Sequence, residues 1–571
     1  MLSPLLANAP DFTSWTWADI EPRYAALETA HLDEATVDTW LKEWSELSSR
    51  VQEILARLRA LTTCNTADEE MQRRLHDFMD HTFPRVEEAE QRLRQKLLAS
   101  GLEPEGFAVP LRQMRADVAL FRDENLPLMA QESRLVDEYY QITGAQTAEW
   151  EGKTMPLQQL RPLLQEHDRA KREQVWKVIT ERQLRDRAAL NDLWTRMLAL
   201  RRQITENAGF PDYRAYRWQA MHRFDYTPED AQRLHAAVEE VVVPAVARLL
   251  ERRRERLDVE TLRPWDLEVD PQTQAPLTPF QGGRELEEKT RTLFHRLDPQ
   301  LAGYFDDMVE GGCLDLDSRD NKAPGGYCSP LEATGLPFIF GNVAGTRGDV
   351  EMLIHEGGHA FHMLAARSLP YLQQRSLEGI GMEFAEVGSM AMELLAAPYL
   401  DAEGVGFYTP EEAARARVDH LKQRVLLLWS RLMLADAFQH WVYTHPDETA
   451  DPVKCDEQWL AQTHRFVPVV DFSGLETETK TGWHNLLHIF VVPFYIIEYA
   501  LAQLGAVQIW ARARQDPADA LARYKHALAL GNTRPVPELY AAAGARLAFD
   551  AETLRAAVDV VESTIAELSA S

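Results

Sequence analysis

The chain has 571 residues, of which 45% are hydrophobic and 26% charged, a composition typical of a folded protein with a large core. The formal net charge of −28 argues against a nucleic-acid binder, whose footprint is a basic face, and favours solubility and cationic ligands. The four cysteines are scattered without a C-x-x-C pair, so we expect free thiols in a reducing compartment.

Amphipathic helices are predicted to follow one another through the first third of the chain. Between about residues 16 and 200, glycine is sparse and Pro84, Pro110 and Pro127 mark turns. The start, MLSPLLANAPDFTSW, lacks the basic region and the long apolar run of a signal peptide. We predict an N-terminal helical region over residues 1–190 and a catalytic region over residues 191–571.

The pattern changes between about residues 263 and 346, where Pro and Gly are frequent and helical periodicity fades. The best strand candidate is Pro337–Val343, PFIFGNV, which is short, apolar and bounded by helix-breaking residues. Helices resume after Asp349 and continue to the end of the sequence. The sequence therefore predicts a mainly α protein with a small β-sheet before the helix that begins near residue 349.

The predicted helix over Asp349–Met363, DVEMLIHEGGHAFHM, begins at a capping box, because Thr346 stands three residues before Asp349. Two adjacent glycines, Gly357 and Gly358, interrupt this helix, and each costs about 1 kcal/mol of helix stability relative to alanine. A glycine also permits another backbone to approach closely. We therefore expect a second helix or an extended substrate strand to pack against this part of the helix.

The same helix carries the motif H-E-x-x-H at His355, Glu356 and His359. Histidines four residues apart project from one face of a helix, about one turn from each other, as two imidazole ligands of one zinc ion require. Glu356 can then accept a proton from a water molecule that the metal has made acidic. The motif predicts a catalytic zinc site, although two histidines on an ordinary amphipathic helix share this spacing.

A catalytic zinc site needs a third protein ligand, and a downstream carboxylate is the best candidate. The metzincin pattern is excluded, because His362 and Ala365 stand where it requires Gly and His. The acidic residues of suitable type are Glu378, Glu383, Glu386 and Glu393. The last three share one side of a predicted helix, so those that do not bind the metal can orient the histidines. Spacing alone leaves the choice open.

Residues 485–510 form the longest apolar region, but His488, Pro493 and Glu498 interrupt it. A helix exposed to lipid tolerates such residues poorly, so we predict a buried helix pair or the wall of a cavity. We expect a cytoplasmic protein that contacts neither membranes nor nucleic acids.

These motifs resemble the zinc oligopeptidases that include thimet oligopeptidase, neurolysin and oligoendopeptidase F. HEGGHAFH, residues 355–362, is similar to that family's HExGHxxH, and FAEVGSMAMELL, residues 384–395, is similar to its third-ligand segment. The likeness runs from about Arg182 to the end of the sequence. It implies that His355, His359 and Glu386 hold one Zn²⁺ ion.

The resemblance also implies a neurolysin-like fold, nearly all α, with two lobes flanking a deep channel, the zinc at its floor and a small sheet beside the zinc-binding helix. The implied activity is zinc-dependent hydrolysis of internal bonds in short unfolded peptides, with Glu356 as the base. The strand near Phe338–Val343 would pair with an extended peptide substrate.

Residues 481–500, TGWHNLLHIFVVPFYIIEYA, are similar to the family segment whose histidine and tyrosines hydrogen-bond the developing oxyanion. His488 matches the histidine, Tyr495 matches one tyrosine, and Tyr499 is a second candidate. Ile497 stands where close relatives often carry another tyrosine. The division of labour between Tyr495 and Tyr499 therefore stays open.

Two further histidines lie near the predicted site in sequence. His362 falls on the ligand face one turn beyond His359, and we expect it to pack or to contact a ligand residue rather than to bind the metal, because the family's ligand set does not include it. His484 precedes His488 by four residues, a spacing shared by a pair of core histidines and by a second metal-binding face.

Two alternatives to an endopeptidase stay open. The same zinc chemistry would serve a carboxypeptidase or an amidase, and a non-catalytic peptide-binding scaffold could hold a structural zinc ion. Structural zinc sites usually have four protein ligands rich in cysteine, and the motif has no cysteine near it in sequence, which disfavours the scaffold. The acidic net charge suggests a preference for cationic peptides. The sequence does not fix the oligomeric state.

Overall fold

The computed structural model describes residues 3–271, 277–377 and 379–570, and this part of the chain is mostly helical. The first helices are α1 Pro4–Ala7, α2 Trp17–Thr29, α3 Val37–Cys64, α4 Glu69–Asp77, α5 Phe83–Ser100, α6 Ala108–Leu120, α7 Leu126–Gly144, α8 Leu157–Leu160, α9 Arg169–Arg185 and α10 Arg187–Ala208. The predicted succession of helices is confirmed. It is interrupted by a short antiparallel hairpin, β1 Thr147–Trp150 and β2 Lys153–Pro156, which the sequence did not predict.

The middle of the chain contains the sheet that leads into the H-E-x-x-H helix. Its elements are α11 Tyr213–Ala220, α12 Pro228–Arg256, α13 Gly282–Leu297, α14 Pro299–Glu310, β3 Leu314–Asp317, β4 Tyr327–Leu331 and β5 Leu336–Val343. β5 is the central strand, parallel to β3 and antiparallel to β4. The strand predicted at Pro337–Val343 is therefore confirmed. Its apolar side chains are buried, as expected for a strand covered on both faces.

The remaining elements are helices. They are α15 Arg347–Ala366, α16 Leu372–Arg375, α17 Met382–Ala396, α18 Pro410–His420, α19 Leu427–Thr444, α20 Pro446–Thr449, α21 Pro452–Phe466, α22 Glu476–Lys480, α23 Leu487–Phe490, α24 Ile496–Ala513, α25 Pro517–Ala529, α26 Val536–Ala542 and α27 Ala551–Ala570.

The start of α15 is fixed by the predicted capping box, which is confirmed. The carboxylate of Asp349 accepts hydrogen bonds from the backbone N–H groups of Ala344 and Thr346, at 3.0 and 2.8 Å, and from the Thr346 hydroxyl at 2.9 Å. These bonds satisfy donors that a helix start leaves unpaired. They also hold α15 in a fixed direction relative to the end of β5.

Helix α17 lies in the core, packed against α15 and against α24. Nearly all of its residues are buried, because its sequence, MEFAEVGSMAMELLA, is mainly apolar and the helix has neighbours on two sides. Its carboxylates are therefore buried too: Glu383 and Glu386 are only 4% and 5% exposed. A buried carboxylate requires a partner, which points to polar contacts around this helix.

The apolar region at 485–510 forms α23 and most of α24, and both pack into the core, so the prediction of buried helices is confirmed. None of the helices in the described part of the chain combines the length and the apolar character that crossing a bilayer requires. The four cysteines are free thiols, as predicted, and Cys64, Cys313 and Cys455 are buried.

Candidate metal centre and active site

Two helices bring three potential metal ligands together. His355 and His359 project from one face of α15, and Glu386 projects from α17, so that one donor atom of each lies within 4.8 Å of the others. Oε2 of Glu386 is 3.5 Å from Nε2 of His355 and 3.6 Å from Nε2 of His359. These separations match the edge of a tetrahedron around a zinc ion with bonds of about 2.1 Å.

Gly358 permits the close approach of these two helices. A Cβ atom at this position would lie 2.6 Å from Cα of Ser389 and 2.7 Å from the carbonyl oxygen of Gly388, both in α17. Any side chain would therefore push α17 away and move Glu386 with it. The expectation that another helix packs against the glycines is confirmed at Gly358.

His355 is held in place by a chain of carboxyl and imidazole groups. Its Nδ1 lies 2.6 Å from Oε1 of Glu393, whose other oxygen is 3.4 Å from Nε2 of His420. Nδ1 of His420 is in turn 3.4 Å from Glu351. A carboxylate that accepts the Nδ1 proton leaves the Nε2 lone pair of His355 directed towards Glu386.

The pKa values of the two histidines suit a site for a cation. Burial lowers the pKa of His355, but the hydrogen bond to Glu393 and the nearby carboxylates outweigh this effect and raise it to about 9. Surroundings that stabilise positive charge on an imidazole also favour a metal cation. Burial lowers the pKa of His359 well below its usual value, so its ring is neutral and has a lone pair to donate. Two imidazoles and one carboxylate form a donor set that catalytic zinc sites use.

Of the four carboxylates that the sequence offered as third ligand, only Glu386 is close to both histidines in the described structure. It accepts hydrogen bonds from Ser389 Oγ at 3.0 Å and from the Tyr495 hydroxyl at 3.4 Å. Glu393 contacts His355 on its other nitrogen, and Glu383 lies near the buried cation of Arg223. Glu378 lies outside the described residues.

Glu356 is buried beside the histidines, with 8% of its surface exposed. Burial raises its pKa to about 7, and a hydrogen bond from the backbone of Cys328, in β4, partly opposes this effect. A carboxyl group with a pKa in this range can accept and release a proton at neutral pH.

His488, Tyr495 and Tyr499 form a compact group next to Glu386. The imidazole of His488 stacks parallel to the Tyr495 ring with centroids 6.3 Å apart, and the two tyrosine rings meet edge to face at 5.1 Å. Burial lowers the pKa of His488. Burial also raises the pKa of Tyr495 well above its usual value and the pKa of Tyr499 to about 12. Both hydroxyls therefore keep their protons at neutral pH and can act as hydrogen-bond donors.

The remaining histidines of the sequence analysis have other partners. His484 lies in a 3₁₀ turn before α23, where Nε2 is 2.7 Å from Oδ1 of Asn191, so it does not share a helix face with His488. His362 is fully buried and packs edge to face against Phe384, with centroids 5.8 Å apart. This contact agrees with the packing role expected for His362.

A second cluster of potential ligands, His235, Asp436 and His440, is buried between α12 and α19. Nε2 of His235 lies 2.7 Å from Asp436, and a guanidinium nitrogen of Arg214 lies 3.3 Å from Nδ1 of His440. The arginine supplies positive charge beside the cluster, which disfavours a metal cation there. We interpret the group as a buried charge network.

The predicted pairing of Phe338–Val343 with a substrate peptide is wrong. β5 lies between β3 and β4, and β4 already pairs with its residues 336–340, so β5 is not an exposed edge along most of its length. Among the described strands of this sheet, β3 and β4 each have an unpaired outer edge. β4 packs against α15, which carries the histidines, and it contains Pro330, a residue that sheets tolerate at edges. Of the two edges, that of β4 is therefore the better candidate for an added peptide strand.

Two buried arginines that were not predicted from the sequence hold the segment that carries the tyrosines. Arg201 donates hydrogen bonds to the carbonyl oxygens of Ile489 and Phe490. Arg223 donates to the carbonyl of Phe494 and forms an ion pair with Glu498 at 2.7 Å. Arg223 thus contacts the residue directly before Tyr495.

Phe494 is strained, and its neighbours hold it in place. Its φ of 67° lies in the left-handed region, which bulky residues rarely adopt. The side chain of Gln439 accepts its N–H, and Arg223 binds its carbonyl. A strained residue persists only where its surroundings determine its conformation, so these contacts fix the orientation of the following residue, Tyr495.

The sequence contains a signal for Arg201. It occurs within the apolar stripe of α10 formed by Leu190, Trp194, Met197 and Ile204. A charged residue at a position of helical period that is otherwise apolar is expected to be buried and paired. Arg223 lies in a turn, where no such period identifies it.

For the peptide hydrolysis that the sequence resemblance implies, we expect Arg223→Lys to lower kcat about tenfold or more, because a lysine can keep the ion pair with Glu498 but not the second bond to Phe494. Metal content, measured by mass spectrometry of the purified protein, is expected to be unchanged. Arg233→Lys, in an exposed ion pair with Asp230, is the control. An unchanged kcat in Arg223→Lys would contradict a positioning role.

Comparison with known proteins gives a consistent result. Residues 162–559 match peptidase family M3, and residues 11–108 match the peptidase M3 N-terminal domain. An oligoendopeptidase F homologue of Mycoplasma pneumoniae (strain ATCC 29342 / M129 / Subtype 1) is 22% identical over 291 residues, which cover 49% of this chain and 46% of that protein. The chain thus spans less than half the length of this curated relative. The region boundary expected near residue 190 stays a prediction.

Solved structures share the fold. PZ peptidase A with inhibitor 2 is 25% identical with a TM-score of 0.87, covering 98% of this chain and 99% of that one. An X-ray structure assigned to oligoendopeptidase F is 26% identical with a TM-score of 0.85 and the same coverage. The predicted fold class, mainly α with a small sheet beside the H-E-x-x-H helix, is confirmed.

Proposed function

The chain belongs to peptidase family M3, and we propose that it is a zinc-dependent endopeptidase that hydrolyses internal bonds of short unfolded peptides. The observation that carries the proposal is the convergence of His355, His359 and Glu386 within 4.8 Å, beside the buried carboxyl group of Glu356. Metal-assisted hydrolysis of an amide requires a set of metal ligands and a base next to them.

His355, His359 and Glu386 would hold one Zn²⁺ ion, with Glu393 orienting His355. Bound there, zinc supplies a Lewis acid that polarises the scissile carbonyl and lowers the pKa of water. The three ligands leave a fourth position for water or substrate, as catalytic zinc sites do.

Glu356 moves the proton in the proposed reaction. Its carboxylate accepts a proton from the water molecule whose oxygen attacks the scissile carbonyl carbon. It then donates this proton to the amide nitrogen as the C–N bond breaks, so that the products are a carboxylic acid and an amine. Its pKa of about 7 suits both steps.

His488, Tyr495 and Tyr499 would stabilise the negative charge that develops on the carbonyl oxygen. Such donors are worth about 3 kcal/mol of barrier each when they are already directed at that oxygen. The bonds from Arg201 and Arg223 to the backbone of this segment support such pre-organisation. Tyr495 also contacts Glu386, which makes it the first of the two tyrosines to test.

The substrate would be a short, extended peptide aligned along β4. The backbone of Cys328 in this strand is near enough to the Glu356 carboxyl group to lower its pKa, which supports a substrate lying beside that edge. A peptide that adds to the edge would have its scissile bond close to Glu356. We also propose that the enzyme prefers cationic peptides, because the chain carries a net charge of −28. The four free cysteines support our proposal that it acts in a reducing compartment, the cytoplasm.

The test is mass spectrometry of peptides of graded length, blocked at both ends, incubated with the protein. We expect internal cuts confined to short peptides, abolished by a zinc chelator and restored by added zinc, because the proposed site loses its Lewis acid on chelation. No cuts in the blocked peptides, with residues released only from the carboxyl end of unblocked versions, would indicate a carboxypeptidase. Tight peptide binding without cleavage in zinc-replete buffer would indicate a binding scaffold.

A further inference from the structure

A cavity of about 530 Å³ lies apart from the metal centre, against a different side of α17. Leu394 and Leu395 line it, whereas the preceding residue, Glu393, contacts His355. Successive helical residues are about 100° apart, so Leu394 points to the flank of the side that carries the metal ligand and Leu395 points almost opposite to it. The ends of α13, α24, α25 and α27 complete the walls.

The lining of this cavity is mainly apolar. Leu395, Trp510 and Leu521 contribute large hydrophobic side chains, and small residues such as Ala518 leave space at its rim. Binding sites for small organic molecules typically have volumes of about 300–1,000 Å³ and a mostly hydrophobic lining with few polar groups. In both respects the cavity resembles a small-molecule site.

The positive and negative charges of the side chains that line the cavity do not sum to zero. Lys525 is paired with Asp298 at 2.6 Å, and Arg514 is paired with Glu567 at 2.7 Å. Arg417, which also lines the cavity, makes no hydrogen bond or ion pair within 4.0 Å to any described residue.

Arg417 is only partly exposed, and its surroundings oppose its charge. Burial and the nearby Arg514 lower its pKa, while Asp401 attracts it only from beyond ion-pair distance. A cation in this position gains free energy from an anion that enters the cavity. The chain as a whole is strongly acidic, so a site with an excess of one positive charge is unusual for it.

We propose that this cavity binds a small monocarboxylate with an apolar chain. The carboxylate would bind the guanidinium of Arg417, and the chain would lie against Leu395, Trp510 and Leu521. The two existing ion pairs at the rim need no rearrangement, because the anion uses the one cation that lacks a partner. This site is independent of the proposed peptidase activity, since none of its residues belongs to the metal centre.

Isothermal titration calorimetry of the full, zinc-loaded chain with decanoate tests the proposal. We expect one saturable site for decanoate. Uncharged decanol should bind at least about tenfold more weakly, because an alcohol cannot form an ion pair with Arg417. Arg417→Gln should weaken decanoate binding about tenfold or more without changing decanol binding. Ala518→Trp, which fills the rim, should abolish the binding of both molecules.

Two control variants separate this cavity from other sites. Arg555→Gln removes an exposed arginine that pairs with Glu240 outside the cavity, and it should bind decanoate as the unmodified protein does. His359→Ala removes a proposed zinc ligand and should also leave decanoate binding unchanged. The proposal is overturned if Arg417→Gln and Ala518→Trp bind decanoate normally. It is also overturned if His359→Ala alone loses binding, because that result would place the carboxylate at the metal centre.

Discussion

Glu356→Gln is expected to lower kcat for cleavage of an internal peptide bond by about 10³-fold or more, because general acid–base catalysis contributes on this scale and glutamine cannot accept the proton. The variant should fold and retain zinc. Glutamine has the size of a protonated glutamate, and burial already raises the pKa of Glu356 to about 7, so the neutral side chain imposes little new cost. Steady-state kinetics on a blocked peptide and metal analysis of the same sample check both parts.

His359→Ala is the matched comparison, because it removes a proposed ligand one turn away on the same helix. We expect this variant to lose both cleavage and zinc, whereas Glu356→Gln loses only cleavage. Retained turnover in Glu356→Gln would contradict its role as the base. Full zinc occupancy in His359→Ala would contradict the ligand set.

The part of the site that lies on one helix could be predicted from the sequence. The spacing of His355, Glu356 and His359, together with the capping box at Thr346, defined α15 and the face that carries the ligands. These features depend on helical period alone, so no tertiary information was needed. The strand before α15 could also be predicted from nearby residues, since its apolar run ends at a turn.

The identity of the third metal ligand could not be predicted from local sequence. Glu383, Glu386 and Glu393 share one side of α17, and only the resemblance favoured Glu386. In the structure, Glu386 reaches both histidines, while Glu393 reaches the opposite nitrogen of His355. This difference depends on how far α17 has shifted along α15, and helical period carries no information about that shift.

Features that depend on long-range contacts were missed or predicted wrongly. His420 contacts Glu393 from a different helix, and no residue near it in sequence indicates this role. The strand at Phe338–Val343 was recognised, but its place at the centre of the sheet was not, because strand order is a tertiary property. The hairpin β1–β2 has four-residue strands that are mostly exposed, so its hydrophobic pattern is too short to detect.

Gly358→Ala is expected to destabilise the protein by about 1–3 kcal/mol and to weaken zinc binding, because the added methyl group collides with backbone atoms of α17. Its Cβ would lie 2.6 Å from Cα of Ser389 and 2.7 Å from O of Gly388, and backbone atoms in a packed helix cannot rotate away. The helices would have to separate, which moves Glu386 away from His359. Thermal unfolding with and without zinc, and a zinc-affinity titration, measure both effects.

Gly357→Ala is the control that separates packing from helix propensity. Both substitutions gain about 1 kcal/mol of intrinsic helix stability. At Gly357, however, the nearest atom to the new Cβ is Cζ of Phe294, at 3.2 Å, which belongs to a side chain that can shift by a few tenths of an ångström. We therefore expect Gly357→Ala to change stability by less than about 1 kcal/mol and to bind zinc normally. If both variants behaved alike, the glycines would matter only for the conformation of α15. A defect confined to Gly358→Ala would mean that the backbone contact between α15 and α17 sets the distance across which the histidines and Glu386 meet.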